Sequence, residues 1–325
     1  MIMQIILNIV KNAIIMGAFM KIKLMADSTC DLSQEILNRY NICLAPLVIS
    51  IEGKEYKDRI DISNDEFYKN LMTFKTYPTT SMPSPESYIT CIQGAIEQGY
   101  EKILCICMSS GTSGSYQGAI LAKELFYEQN PESSIQFEVI DSVSMSHGSG
   151  WLIMKCAVLI ENGYTFEELI EYCETIKYRI KHFLSVDDLD SLIRSGRLSN
   201  TSGVIGKLLN VKPIMSMKNT KGAVVAKKRG TRQVYNYYIQ EFINRVDYEQ
   251  TDFVIIGYTS DVNKAENLRA LLLKTNFNGD IYIMQMGVAV GTHVGLGGLS
   301  MFFVEKPHED FMDHMKEKII SHIHK

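Results

Sequence analysis

The sequence predicts an α/β protein of two domains, the first a parallel sheet covered by helices and the second a further α/β unit. Three observations lead there. Over the first half of the chain, short apolar strands alternate with amphipathic helices, the order that parallel sheets impose. The length is 325 residues, roughly two domains of about 150 residues each. Near residue 180 the alternation gives way to a hairpin pattern followed by helix, strand, helix and strand. The expected limits are 20–180 for the first domain and 181–306 for the second, with 1–19 and 307–325 as accessory extensions.

Residues 1–19 are apolar but broken by Gln4, Asn8, Lys11 and Asn12. The run falls short of the ~20 residues of a spanning helix, and Lys11 sits in its middle where a signal peptide places charge first. The domain is expected to begin at Met20; an amphipathic membrane-surface helix is the alternative. Lys21–Ala26 reads as a strand ending in Asp27-Ser28-Thr29, and Asp31 or Ser33 caps the next helix, to about Tyr40. Ile42–Ile51 reads as a strand with a turn at Glu52-Gly53. Ser63-x-x-Glu66 resembles a capping box. Tyr77–Pro85 holds three of the seven prolines, so it is loop or extended chain. A helix over Glu86–Gln98 follows. Lys102–Met108 is a continuous apolar run, as in a buried parallel strand, and breaks into Ser109-Ser110-Gly111-Thr112-Ser113-Gly114 before another helix. Gln136–Ile140 is the next strand. Leu152, Ile153, Cys156, Ala157 and Ile160 mark a helix, and Thr165-x-x-Glu168 caps the one after it. Val211–Met217 and Ala223–Arg229 read as a hairpin, then helix Arg232–Val246, strand Phe253–Tyr258, helix Val262–Lys274 and strand Asp280–Met286. The tail from Pro307 reads as an accessory helix. It carries four of the seven histidines, and His314, His322 and His324 are its potential metal ligands.

Composition removes several classes. Apolar residues make up 46% and charged residues 22%, which excludes a disordered chain, a fibrous repeat and a polytopic membrane protein. With 33 basic against 37 acidic residues, a net charge of −4 and a pI near 6.0, a general electrostatic footprint for nucleic acid is missing. The seven cysteines are odd in number and without C-x-x-C, so no disulfide framework is expected and a reducing, cytoplasmic compartment fits. Cys105 and Cys107 are expected on one face of a buried strand.

Ligands of open α/β sheets bind beyond the carboxyl ends of the strands. The strand end at Ser109-Ser110-Gly111 leads into a helix N-terminus, so amides, hydroxyls and a positive helix end gather there, suited to an anion. Thr79-Thr80-Ser81 adds hydroxyls on a rigid proline loop. Gly287–Gly298 is glycine-rich around His293, which is either a donor near an anion or a self-contained loop histidine. Arg194 and Arg197 could pair with a carboxylate or phosphate, or be solvated. The phosphate-loop pattern fails at Gly206-Lys207-Leu208, and G-x-S-x-G fails at Ser115. A phosphotransfer or hydrolytic enzyme using the Ser109–Ser115 loop is therefore the weaker reading.

Taken in order, the segments Met25–Leu32, Thr80–Pro85, Ser109–Tyr116, Asp141-Ser142 through Gly150, Leu189–Ser199, Leu208–Ile214 and Gly291-Thr292-His293 with the following glycines resemble the DegV family of bacterial fatty-acid-binding proteins. That family includes the acyl-carrier subunits of fatty acid kinase, which serve phospholipid metabolism. The resemblance runs from about Met20 to Val304. It implies one long-chain fatty acid buried between the two domains, as a ligand and with no cofactor. Its carboxylate would be held by Thr80 and a serine of the Ser109-Ser110 pair, with His293 in support. Ser81, Arg194, Arg197 and Arg229 would be head-group or partner contacts, and no metal site is implied. The protein would be a non-catalytic carrier presenting its lipid to an ATP-using kinase subunit, with transient membrane contact allowed. The basic cluster Lys227, Lys228, Arg229 and Arg232 is either a solvated face or the kinase contact. Met82 replaces the family's usual Gln, Thr112 an apolar residue and Leu296 a frequent Pro. Some of the 17 methionines are expected to line the lipid tunnel.

Overall fold

A computed structural model describes residues 22–187, 189–198, 210–218 and 220–307. The N-terminal extension, the tail from His308 with its histidines, Ser199, and Leu208-Leu209 of the family segments lie outside the described residues.

The first half gives β1 (Ile22–Asp27), α1 (Gln34–Arg39), β2 (Cys43–Ala45), β3 (Val48–Ile51), β4 (Lys54–Lys57), α2 (Asn64–Asn70), β5 (Thr79–Ser81), α3 (Pro85–Glu97), β6 (Lys102–Cys107), α4 (Ser115–Gln129), β7 (Gln136–Asp141), α5 (His147–Glu161) and α6 (Phe166–Ile176). The second gives β8 (Ile180–Ser185), α7 (Asp190–Arg194), β9 (Val211–Lys218), β10 (Lys221–Arg229), α8 (Thr231–Arg245), β11 (Phe253–Tyr258), α9 (Val262–Leu272), β12 (Asp280–Gln285), α10 (Val288–Val294) and β13 (Leu299–Val304).

The expected parallel sheet forms in the order β2-β1-β6-β7, with every pairing parallel. Its strands are the apolar runs; in β6 all but Lys102 are buried. The expected strand Ile42–Ile51 is instead two strands in different sheets, split around Pro46, which has no amide hydrogen to continue a ladder. Its second part, β3, pairs antiparallel with β4 and with β5, and so fixes the proline segment as an edge strand. Ser33, not Asp31, caps α1, accepting from the Ile36 amide at 3.3 Å. Asp31 stands in the left-handed region at φ 55°, one that Asp and Asn tolerate better than most residues.

The second sheet runs β10-β9-β8-β13-β11-β12. The β9–β10 hairpin is antiparallel as expected, with an irregularity at Val224–Ala226. Its two central strands, β8 and β13, were not distinguishable in the sequence. Lys181 and His182 interrupt the first, and glycines precede the second.

Helix α5 joins the two halves. It is buried on every side from His147 to Ala157, as a helix between two layers must be. Trp151 stacks on Phe253 at 5.0 Å and donates its indole N–H to the Phe253 carbonyl at 3.0 Å. One core accordingly runs from Leu24 and Ile106 through Trp151 to Phe302 and Val304.

Cys105 and Cys107 are both buried, their sulfurs 3.7 Å apart. No framework of disulfides was expected, and one disulfide forms: Cys43 and Cys91 are bonded. Helix α3 packs over β2 and brings their Cα atoms to 6.1 Å, a bridging distance that no short sequence motif announces.

The capping box at Thr165 is complete, with Glu168 N–H donating to the Thr165 hydroxyl and the Glu168 carboxylate accepting from the Thr165 amide at 2.8 Å. Thr165→Ala is expected to cost about 1 kcal/mol, read as a lowered urea midpoint at unchanged slope. Ser63 caps α2 from one side only, accepting from Glu66 N–H at 3.2 Å.

Candidate functional site

The site begins at the carboxyl ends of β1 and β6. Asp27 closes β1 and is buried. Its carboxylate accepts from Thr29 N–H at 3.0 Å, from the Thr29 hydroxyl, and from Met108 N–H at 2.8 Å. One side chain thereby ties the two strand ends together and sets Thr29 and Met108 in a common wall.

That wall bounds a cavity between the two sheets. Thr29, Met108, Thr112 and Ser113 come from the parallel sheet. Leu47 and Thr80 come from the β3–β5 region, and His182, Leu184, Ser300 and Phe302 from β8 and β13. Helix α10 closes it with Ala289, Val290, His293 and Val294, and Leu192 and Arg197 come from α7 and the turn after it. Three of the 17 methionines, Met108, Met145 and Met286, line it. The wall surface is mostly apolar, with polar side chains contributed by each of the elements that build it.

Thr80 and His293 meet there, the threonine hydroxyl 2.8 Å from His293 Nε2. β5 supplies Thr80 in register with Ile49. His293 lies on α10, a helix where the sequence suggested a glycine loop. Burial, helped by the Arg197 charge, lowers the His293 pKa to about 4, so the imidazole is neutral near pH 7. A neutral ring with hydrogen on Nε2 donates to Thr80 Oγ1 and frees the threonine hydrogen to point into the cavity.

From the Ser109–Ser115 turn the cavity takes Thr112 and Ser113. Ser109 and Ser110 do not line it. Ser109 is fully buried and donates its hydroxyl to the Thr220 carbonyl at 2.8 Å, anchoring the turn to the β9–β10 hairpin. Ser110 donates its amide to Asp141 at 3.2 Å. Thr112 donates to the same Thr220 carbonyl at 3.1 Å, which accounts for a hydroxyl where an apolar residue was expected. Ser113 Oγ accepts from Ser115 N–H at 3.2 Å. Its own hydrogen remains for a ligand or for Ser115 Oγ, 3.0 Å away. Ser113 lies within the same motif, four and three residues after Ser109 and Ser110, the serines expected at the head group.

Arg197 lines the cavity, donating to the Ser195 carbonyl at 2.5 Å. Arg194 instead lies over the Tyr77 ring at 5.4 Å. Ser81 and Arg229 are exposed and outside the wall. Met82 lies against α4, where a Cβ on Gly114 would come within 2.5 Å of its sulfur. The N-terminus of α4 begins two residues after Ser113 and has no side-chain cap from its N-cap residue Gly114. The arrangement suits a single anionic group at the end of an apolar chamber.

Helix α10 is held from the first half of the molecule. Asp31 accepts from Gly287 N–H at 2.8 Å and from the Ser146 hydroxyl at 2.6 Å. The Tyr68 hydroxyl donates to the Met286 carbonyl at 2.9 Å. Ser28 donates to Asp58 at 2.7 Å and accepts from Leu47 N–H at 3.0 Å. Val288 and Ala289 share a core with Leu47, Ile49 and Phe67. Among the described residues no group of three or more His, Cys, Asp and Glu could hold a metal, and no helix is long and apolar enough to cross a membrane.

The family model "Uncharacterised protein, DegV family" matches residues 21–306. The chain belongs to the DegV family. A DegV domain-containing protein of Clostridium acetobutylicum is 34% identical over 291 residues, covering 88% of this chain and 99% of its own. Among solved structures, the fatty-acid-binding DegV family protein of Thermus thermophilus superposes with a TM-score of 0.79 at 25% identity, over 88% of this chain and 100% of that one. A stearic-acid-binding protein of Eubacterium ventriosum superposes at 0.76 with 27% identity, over 87% of this chain and 98% of that one. The two-domain α/β expectation is the DegV fold, and both of those DegV-fold proteins bind fatty acids.

Proposed function

We propose that this DegV protein binds one long-chain fatty acid, with its acyl chain in the cavity between the sheets and its carboxylate at Thr80, Ser113 and Arg197. The observation that carries the reading is the Thr80–His293 contact in the wall of a mostly apolar cavity. A buried methylene gains about 0.8 kcal/mol, so a C16 chain gains roughly 12 kcal/mol before ordering costs. The carboxylate loses its hydration and needs charged or hydroxyl donors in return. Thr80, Ser113 and Arg197 supply them, and His293 orients Thr80. Ser109 serves this site by anchoring the turn that presents Ser113.

Acting as a carrier, the protein would hand its lipid to an ATP-using kinase subunit as the non-catalytic partner, with no cofactor of its own. The family resemblance supports this role, and the exposed Arg229 at the end of β10 gives such a partner a basic contact. A hydrolytic use of the Ser109–Ser115 loop finds no support: Ser113 is paired with Ser115, not with a base.

Native mass spectrometry of the purified chain, followed by lipid extraction, tests the binding reading. A stoichiometric adduct that extracts as a long-chain fatty acid is expected. A protein that stays free of lipid after incubation with stearate or oleate would refute it.

A further inference from the structure

The cavity wall built by the second sheet carries polar atoms that the proposed head-group site leaves unused. Strands β8 and β13 pair antiparallel with Leu184 opposite Ser300 and His182 opposite Phe302. The four side chains share one face, and all four line the cavity. Ser300 is 1% exposed and His182 4%. Neither Ser300 Oγ nor either ring nitrogen of His182 has a hydrogen-bond partner. The Ile180 carbonyl acts on the His182 ring without meeting hydrogen-bond geometry. Close by, His147 Nε2 is also unpartnered. The rings of His147 and His182 pack on the same Phe302, at 5.8 and 5.5 Å. Gly257 lies opposite Ser300 on β11, and a Cβ there would run into both Ser300 Oγ and the His147 ring.

An alkyl chain leaves these atoms unsatisfied, and buried polar atoms without partners are costly. Burial keeps His182 neutral, its pKa lowered to about 3, so one ring nitrogen donates and the other accepts. Ser300 offers one donor and two lone pairs. A hydroxyl on the ligand's chain can donate to one of these side chains and accept from the other. We propose that the cavity is built for a long-chain fatty acid carrying a hydroxyl group on its chain, held by Ser300 and His182. This rests on the fatty-acid reading and specifies the substrate class of the same site.

The test is competition for the delipidated full-length chain between stearate and a panel of positional isomers of hydroxystearate. At least one isomer is expected to bind about tenfold more tightly than stearate. Ser300→Ala is expected to bring that ratio close to one. Should that variant fail to fold, His182→Phe reads the same ratio. Stearate binding as tightly as every isomer would overturn the proposal and assign the polar atoms to ordered water. A ratio unmoved by both substitutions would overturn it too. If neither stearate nor any isomer binds, the fatty-acid reading itself fails.

Discussion

Thr80→Val combined with Ser113→Ala is expected to weaken stearate binding about 100-fold while leaving the fold intact. Each substitution removes a hydroxyl donor to a charged acceptor, worth about 1–3 kcal/mol apiece, and every 1.4 kcal/mol is about tenfold in affinity. Thr80 is only half-buried on an edge strand, and Ser113 keeps no structural bond beyond the Ser115 amide and hydroxyl, so the cost to folding is small. Displacement of a fluorescent fatty acid measures the affinity, and urea unfolding checks the fold. Ser110→Ala serves as the control: its side chain lies outside the wall, and its affinity is expected to match the parent. Retention of parental affinity in the double variant would place the carboxylate elsewhere.

Asp31→Ala is expected to cost about 2–4 kcal/mol of stability, because it strands the buried Gly287 amide and Ser146 hydroxyl. It also puts a residue less tolerant of the left-handed region at φ 55°. Asp31→Asn keeps an acceptor for Gly287 and suits that backbone, so most of the stability returns. The pair also has a pH signature. Burial raises the Asp31 pKa from 3.8 to about 8, against the bonds from Ser146 and Gly287. The folded carboxyl therefore holds a proton that the unfolded chain releases. Its contribution is fully present below pH 3.8 and is lost as pH rises through about 8. Asp58, raised by burial to about 6, behaves likewise over a lower window. Buried His147, His182 and His293, lowered from 6.5 to about 3, 3 and 4, act in the opposite sense, losing their contribution as pH falls below 6.5. From pH 6.5 to 8 the unfolded-state histidines still release protons and offset part of the Asp31 effect, so Asp31 is read as the difference between the parent and Asp31→Asn. Relative to Asp31→Asn, the parent is expected to lose about 1–2 kcal/mol across that interval, by urea unfolding at the two ends. Equal slopes in parent and variant would contradict the assignment.

Local chemistry was legible in the sequence wherever one segment carried it. The apolar runs of β1, β6 and β7 announced a parallel sheet, and Thr165-x-x-Glu168 announced a cap that forms in full. Thr80, Arg197 and His293 were identifiable by residue type and setting, and the cavity wall contains all three. What the sequence could not decide was which neighbouring hydroxyl turns inward. Ser109 and Ser113 lie in one short turn, and only the docking of the β9–β10 hairpin, whose Thr220 carbonyl takes the Ser109 hydrogen, leaves Ser113 facing the cavity. The Cys43–Cys91 bond has the same origin, since α3 must first pack over β2. His182 and Ser300 are 118 positions apart in the chain, 300 − 182, and no pattern in either strand marks them. They become one polar surface because β8 and β13 pair in a register that depends on the whole second sheet, and a pairing between distant strands is set by the fold, not by either segment alone.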